Sequence, residues 1–235
     1  MVALMLLIVF LGFAPSYYLR PWASWDEFYP EGLPWPHLIH GIILTVWYAF
    51  LLLQAALIRS KSVQLHRRLG WAGAVWALLV LGSTAWVMML FPGRMQLLAA
   101  QRGTTVQELE PGLASLLWLD MFMGLLFAIF TGLAIARRRE PAIHKRLMLF
   151  SGVVFLFAAT SRIGGTLAKL TDCEPLALIG MVLLLAVSAS ILVHDRRTEG
   201  RILPVSAYCF SVYWAFFLLA MAIGSTDFGE RITGL

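Results

Sequence analysis

Seven long apolar stretches, at roughly 1–19, 38–58, 69–91, 113–136, 146–168, 176–194 and 204–224, constrain this chain more than any motif in it. Each is close to the roughly 20 residues that an α-helix needs to cross the hydrocarbon layer. Lipid offers no partner to a backbone amide, so a spanning segment must pair its own amides, as a helix does. No stretch alternates apolar and polar residues as the strands of a membrane β-barrel do. Hydrophobic residues make up 60% of the 235 and charged residues 13%, against about 25% charge in soluble domains. The expected fold is all-α: a single integral membrane domain, 1–235, built as a bundle of seven transmembrane helices.

Net charge is +5, but its distribution argues for topology rather than for nucleic acid. Basic residues gather in three short turns: Arg59, Lys61, Arg67 and Arg68; Arg137, Arg138, Arg139, Lys145 and Arg146; Arg196, Arg197 and Arg201. Such turns stay cytoplasmic and sit against anionic headgroups. The lipid bilayer is thus the expected partner, with the N-terminus inside and the C-terminus outside. The first stretch has no basic residue ahead of it, and Pro15 follows Ala14, so a retained helix is expected rather than a cleaved signal peptide. Two cysteines, Cys173 and Cys209, are too few for a disulfide framework.

On the outer side, segment 20–37 is rich in proline and aromatics; Trp22, Trp25, Phe28, Tyr29 and Trp35 suit a cap at headgroup level. Segment 92–112 is an expected outer loop, with a short surface helix begun by Thr104 or Thr105. The third outer connection, 169–175, is so short that its two flanking helices must be antiparallel neighbours.

Two blocks look like copies: Leu65-His66-Arg67-Arg68-Leu69-Gly70-Trp71 and Ile143-His144-Lys145-Arg146-Leu147-Met148. Each follows a basic turn and opens an apolar run, which predicts a partial internal repeat of helices 2–3 and 4–5. Ser62 and Pro141 suit the helix starts, so both histidines fall in equivalent first turns on the cytoplasmic side.

Polar residues inside apolar runs are costly and usually face the bundle interior. His40, Trp47 and Gln54 lie seven apart on one helix face, and Asp120 and Arg162 lie at similar depth on consecutive antiparallel helices. Two readings stay open: a ligand pocket lined by His40, Trp47, Gln54, Asp120 and Arg162, or interhelical bonding that fixes packing, with Asp120 and Arg162 as a buried ion pair. Gly124, Ala128 and Gly132 share the Asp120 face and suit close helix approach, as does Gly164-Gly165. His37, His40 and Asp120 have the makings of a two-His-one-carboxylate metal site. His66 and His144, from different helices at one level with basic neighbours, suit a b-type haem; interfacial contact with headgroup phosphate is the competing reading.

The blocks His40-Gly41 with Trp47 and Gln54, Leu65 to Trp71, and His144 to Met148 resemble an uncharacterised group of bacterial multi-pass inner-membrane proteins over about residues 38–205. That group tends to carry Asp…Gly-Arg-x-His-Pro after the sixth helix; Asp195, Gly200, Arg201 and Pro204 match, but Leu203 stands where the histidine would be. The resemblance implies location in the bacterial inner membrane and carries no activity. The leading expectation is a protein that binds a small ligand or redox cofactor in a polar intramembrane pocket. The alternative is an accessory subunit packed against other membrane subunits; whether the chain is an enzyme is left open.

Overall fold

The computed structural model describes residues 1–20, 22, 32–109 and 112–233, which are helical with short connections. In order these are α1 (Val2–Phe13), a π-helical turn (Ala14–Tyr18), α2 (Trp35–Arg59), α3 (Val63–Arg102), α4 (Val106–Leu109), α5 (Leu113–Ala136), α6 (Pro141–Val153), α7 (Leu156–Thr171), a 3-10 turn (Glu174–Leu178), α8 (Ile179–Thr198), α9 (Pro204–Gly224) and α10 (Asp227–Thr233). Five helices among the described residues are long and apolar enough to cross a membrane, six if α6 and α7 form one bent span. The chain is a multi-pass helical membrane protein by length and composition. The first apolar stretch is shorter than the rest, Val2–Tyr18, but it belongs to the core, with Met5 and Ile8 buried.

The fifth apolar stretch is not a straight helix. It breaks between α6 and α7 with a bend of 43°, just after Ser151-Gly152, the kind of Ser/Gly pair at which helices kink. Breaking a helix strips its last carbonyls of their partners. Here Val154 N–H donates to Phe150 O at 3.1 Å, and the buried Tyr48 hydroxyl of α2 donates to Gly152 O at 2.7 Å. On the far arm, Gly12 of α1 packs so tightly on Ala159 that a Cβ there would collide with its carbonyl.

The expected outer loop 92–112 is largely helix instead. Helix α3 runs through Pro92 to Arg102. Proline removes one backbone bond, but Met95 and Leu98 are buried beyond it against Leu113, which holds the extension in place. Gly103, at φ +65°, ends the helix, and Thr104 N–H reaches back to Ala99 O in a Schellman-type close. The short helix α4 starts as the sequence suggests: Glu108 N–H donates to Thr105 Oγ1, and Thr105 N–H to Glu108 Oε2, both at 3.1 Å, which is a capping box. Ser62 differs; it stands at the start of α3 but makes no side-chain cap, and its hydroxyl accepts from Ser60 Oγ.

Helices α7 and α8 are antiparallel neighbours, as the short connection requires. A Cβ on Gly164 would strike Ala177, and one on Gly180 would strike Thr160, so pairing runs in opposite senses along the two helices. The expected small-residue contact on α5 is absent, since a Cβ at Gly124 or Gly132 meets open space; of the Gly164-Gly165 pair on α7, Gly164 makes the close approach and Gly165 does not. Gly224 of α9 instead presses on Ser115 of α5.

Candidate functional site

The α2 stripe is where the interior becomes polar. α2 and α3 form an antiparallel pair, since Trp76 Nε1 donates to Ile43 O while His40 meets Ser83. α5 begins beside the far end of α3, so it runs the same way as α2. Trp47 of α2, 1% exposed, meets Phe127 of α5 edge to face at 5.1 Å. Two turns on, Gln54 and Ala134 stand at a common level.

Polar atoms along this seam lack partners. Trp47 Nε1, both amide atoms of Gln54, Thr131 Oγ1 on α5 and His66 Nδ1 are buried with no hydrogen bond, as is Tyr213 OH elsewhere in the core. Most buried polar groups in proteins are paired, and each unpaired one costs about 1–3 kcal/mol. Their concentration on α2, α5 and the start of α3 defines the candidate site.

The outer end of the stripe is satisfied. Ser83 Oγ donates to Val80 O at 3.1 Å, so His40 Nδ1, 3.1 Å from Ser83 Oγ, is the donor of that pair. Asp120 is exposed on α5, and it is within electrostatic reach of Arg162. The expected contact ion pair between them is not formed. Arg162 Nη1 donates to Ala158 O at 2.9 Å, and its guanidinium lies over the Phe13 ring, 4.6 Å from the centroid. The two residues are near enough to feel each other's charge, but the contact pair is absent. Among the described residues no three His, Cys, Asp or Glu side chains can share an ion, so His37, His40 and Asp120 are not assembled as a metal centre. Of the expected outer cap, Trp35 packs on Trp86 at 4.5 Å and Trp22 is exposed; Trp25, Phe28 and Tyr29 lie outside the described residues.

At the inner end, His66 and His144 come together, their ring centres 6.3 Å apart and their planes at 86°. The His66 ring lies beside the Gln54 backbone carbonyl, and His144 Nδ1 is 2.8 Å from Ala134 O. Gln54, His66 and His144 are therefore one cluster, closing the column that Trp47 begins.

One polar network escaped sequence reasoning. Arg146, counted above as a basic-turn charge, is 3% exposed, and Asp195 is fully buried. Arg146 Nε and Nη2 donate to Asp195 Oδ1 at 3.0 and 2.8 Å, and Nη2 also reaches Glu199 at 3.0 Å. Asp195 Oδ2 accepts from Ser206 Oγ and from Leu203 N–H, tying α6, α8 and α9 together. The available signal was the apolar run that starts directly after Arg146. This network is fully paired and leaves no coordination to spare, so it is structural.

No family model, curated protein or solved structure matches the chain.

Proposed function

We propose that the chain is a bacterial inner-membrane protein that binds a small polar ligand or cofactor in the column between α2, α5 and the start of α3. In this reading all seven apolar stretches lie in the membrane with the basic turns inside, the N-terminus cytoplasmic and the C-terminus outside. The resemblance to bacterial multi-pass proteins supports the location. The single observation that carries the binding reading is the cluster of buried, partnerless atoms on Trp47, Gln54, Thr131 and His66. A site kept ready for a ligand bears such atoms at a cost in stability; a purely structural core has no use for them. Asp120, Arg162 and His40 would line the outer approach.

The test follows from that cost. Purified in lipid nanodiscs, the protein should carry a small molecule visible by native mass spectrometry. Gln54→Leu should lose it and unfold at higher temperature, gaining about 1–3 kcal/mol from the removed amide. A wild-type protein that carries nothing, with a Gln54→Leu variant that is less stable, refutes the reading.

A further inference from the structure

The turn between α2 and α3 carries charge that the protein does not balance. Arg59, Lys61, Arg67 and Arg68 lie close together there, and α2, α3 and their connection contain no Asp or Glu. The other two basic turns hold acids of their own. Glu140 pairs with Arg137, and Asp195 and Glu199 pair with Arg146. Among the described residues none of the four α2–α3 cations enters an ion pair. A counter-charge for them has to come from outside the chain.

Local geometry gathers two of these cations at one place. Gln64, Leu65 and Arg68 share a face at the start of α3, and Lys61 and Ser62 close its end. With Val63 they line an open recess of about 440 Å³. Ser62 Oγ accepts from Ser60 Oγ at 3.2 Å and caps nothing, so its own hydrogen is left for a bound oxygen.

The same face then becomes an apolar track. Trp71, Val75 and Leu78 follow Arg68 at spacings of three and four, and they are 69, 61 and 67% exposed. From Arg68 to Leu78 the track runs roughly 15 Å at 1.5 Å per residue. That is the depth of one leaflet, half of a hydrocarbon layer roughly 30 Å thick. The similar block on α6 has no such track: Met148, Leu149 and Gly152, which follow Lys145 on its face, are packed into the core. Nor does the recess belong to the column, since His66 lies on the other side of α3 with Nδ1 buried.

Cations at the head of an exposed apolar track match an amphiphile with a negative head. A free phosphate leaves the track uncovered, and a lipid of no net charge leaves the cations unbalanced. We infer that the recess holds the headgroup of one anionic phospholipid, its phosphate between Lys61 and Arg68 and an acyl chain along Trp71, Val75 and Leu78. The site is separate from the column and does not depend on what the column binds.

The full chain in neutral detergent is titrated with phosphatidylglycerol, and native mass spectrometry counts the lipid retained. Phosphatidylcholine with the same chains and inorganic phosphate are titrated alongside. The expected result is one phosphatidylglycerol per chain, held in preference to phosphatidylcholine and not displaced by inorganic phosphate. Each basic residue close to anionic lipid contributes a factor of about five, so Lys61→Gln with Arg68→Gln should weaken binding roughly 25-fold. Arg196→Gln with Arg201→Gln removes the same charge from another turn and should leave binding nearly unchanged. Phosphatidylglycerol with a diazirine in its acyl chain should label wild-type α3 between Trp71 and Leu78, a readout that needs no variant. Equal losses in the two double variants would show diffuse attraction and overturn the site. Equal retention of phosphatidylcholine, displacement by inorganic phosphate, or labelling confined to other helices would overturn it as well.

Discussion

Removing the carboxylate of Asp195 should be among the most damaging single changes in this protein. The side chains of Arg146 and Asp195 are 4% and 0% exposed, while Glu199, the other acid at Arg146, is 43% exposed. Asp195→Ala deletes two charged hydrogen bonds from Arg146 and the acceptor for Ser206 Oγ and Leu203 N–H. It leaves a buried guanidinium with only Glu199 and the Ala142 carbonyl. Breaking a buried pair from one side costs about 3–5 kcal/mol. At roughly 2–4 °C per kcal/mol for a chain of this size, the unfolding midpoint falls by roughly 10 °C. Glu199→Gln touches a partly exposed partner and should cost about 1 kcal/mol or less. Replacing both members, Arg146→Met with Asp195→Ala, should cost less than the sum of the single changes by about 2 kcal/mol. Unfolding equilibria in mixed micelles, followed by tryptophan fluorescence, measure all four. If Asp195→Ala costs no more than Glu199→Gln, or if the single effects simply add, the network is not the buried tie described above.

Two further outcomes follow from the geometry. Gly164→Val should abolish folding or sharply reduce yield, because its Cβ meets the Ala177 backbone, while Gly124→Ala, facing open space, should stabilise by about 0.5–1 kcal/mol; expression and melting curves of the two separate them. Glu108 is held below its ordinary value of 4.5 by hydrogen bonds from the Thr104 hydroxyl and the Thr105 amide. A depressed carboxylate contributes order that is complete above its unfolded value and lost as pH falls through the folded one. Amide exchange at α4 should thus stay slow at neutral pH, quicken below about 4.5, and in Glu108→Gln be fast throughout.

Features set by local sequence were legible. Hydropathy counted along the chain finds five spans among the described residues, or six with the bent α6–α7 pair, against the seven apolar stretches, and the Thr105–Glu108 box is readable because its partners are three residues apart. Proximity could also be read: Asp120 and Arg162 do lie within electrostatic reach of each other. What a linear count does not carry is azimuth, the direction in which each side chain leaves its helix. For that reason the expected Asp120–Arg162 contact is not formed, and Arg146, which reads along the sequence as a topology charge, points into the bundle. The open face at Gly124 and Gly132 failed likewise, since a small-residue spacing says two helices are able to approach without saying that a partner is present. The break after Ser151-Gly152 does carry a local signal, the Ser/Gly pair itself. The meeting of His66 and His144 had one too, their equal position in two similar blocks.

Bent membrane helices often serve as moving parts, but this one is pinned along both arms. Tyr48 holds the end of its first arm, and Gly12 and Gly164 bring neighbouring backbones against the second with no room to slide. The elbow is a fixed frame member. Because Tyr48 belongs to α2, the same bond fastens α2 to the elbow, so the two are joined as one piece of the frame.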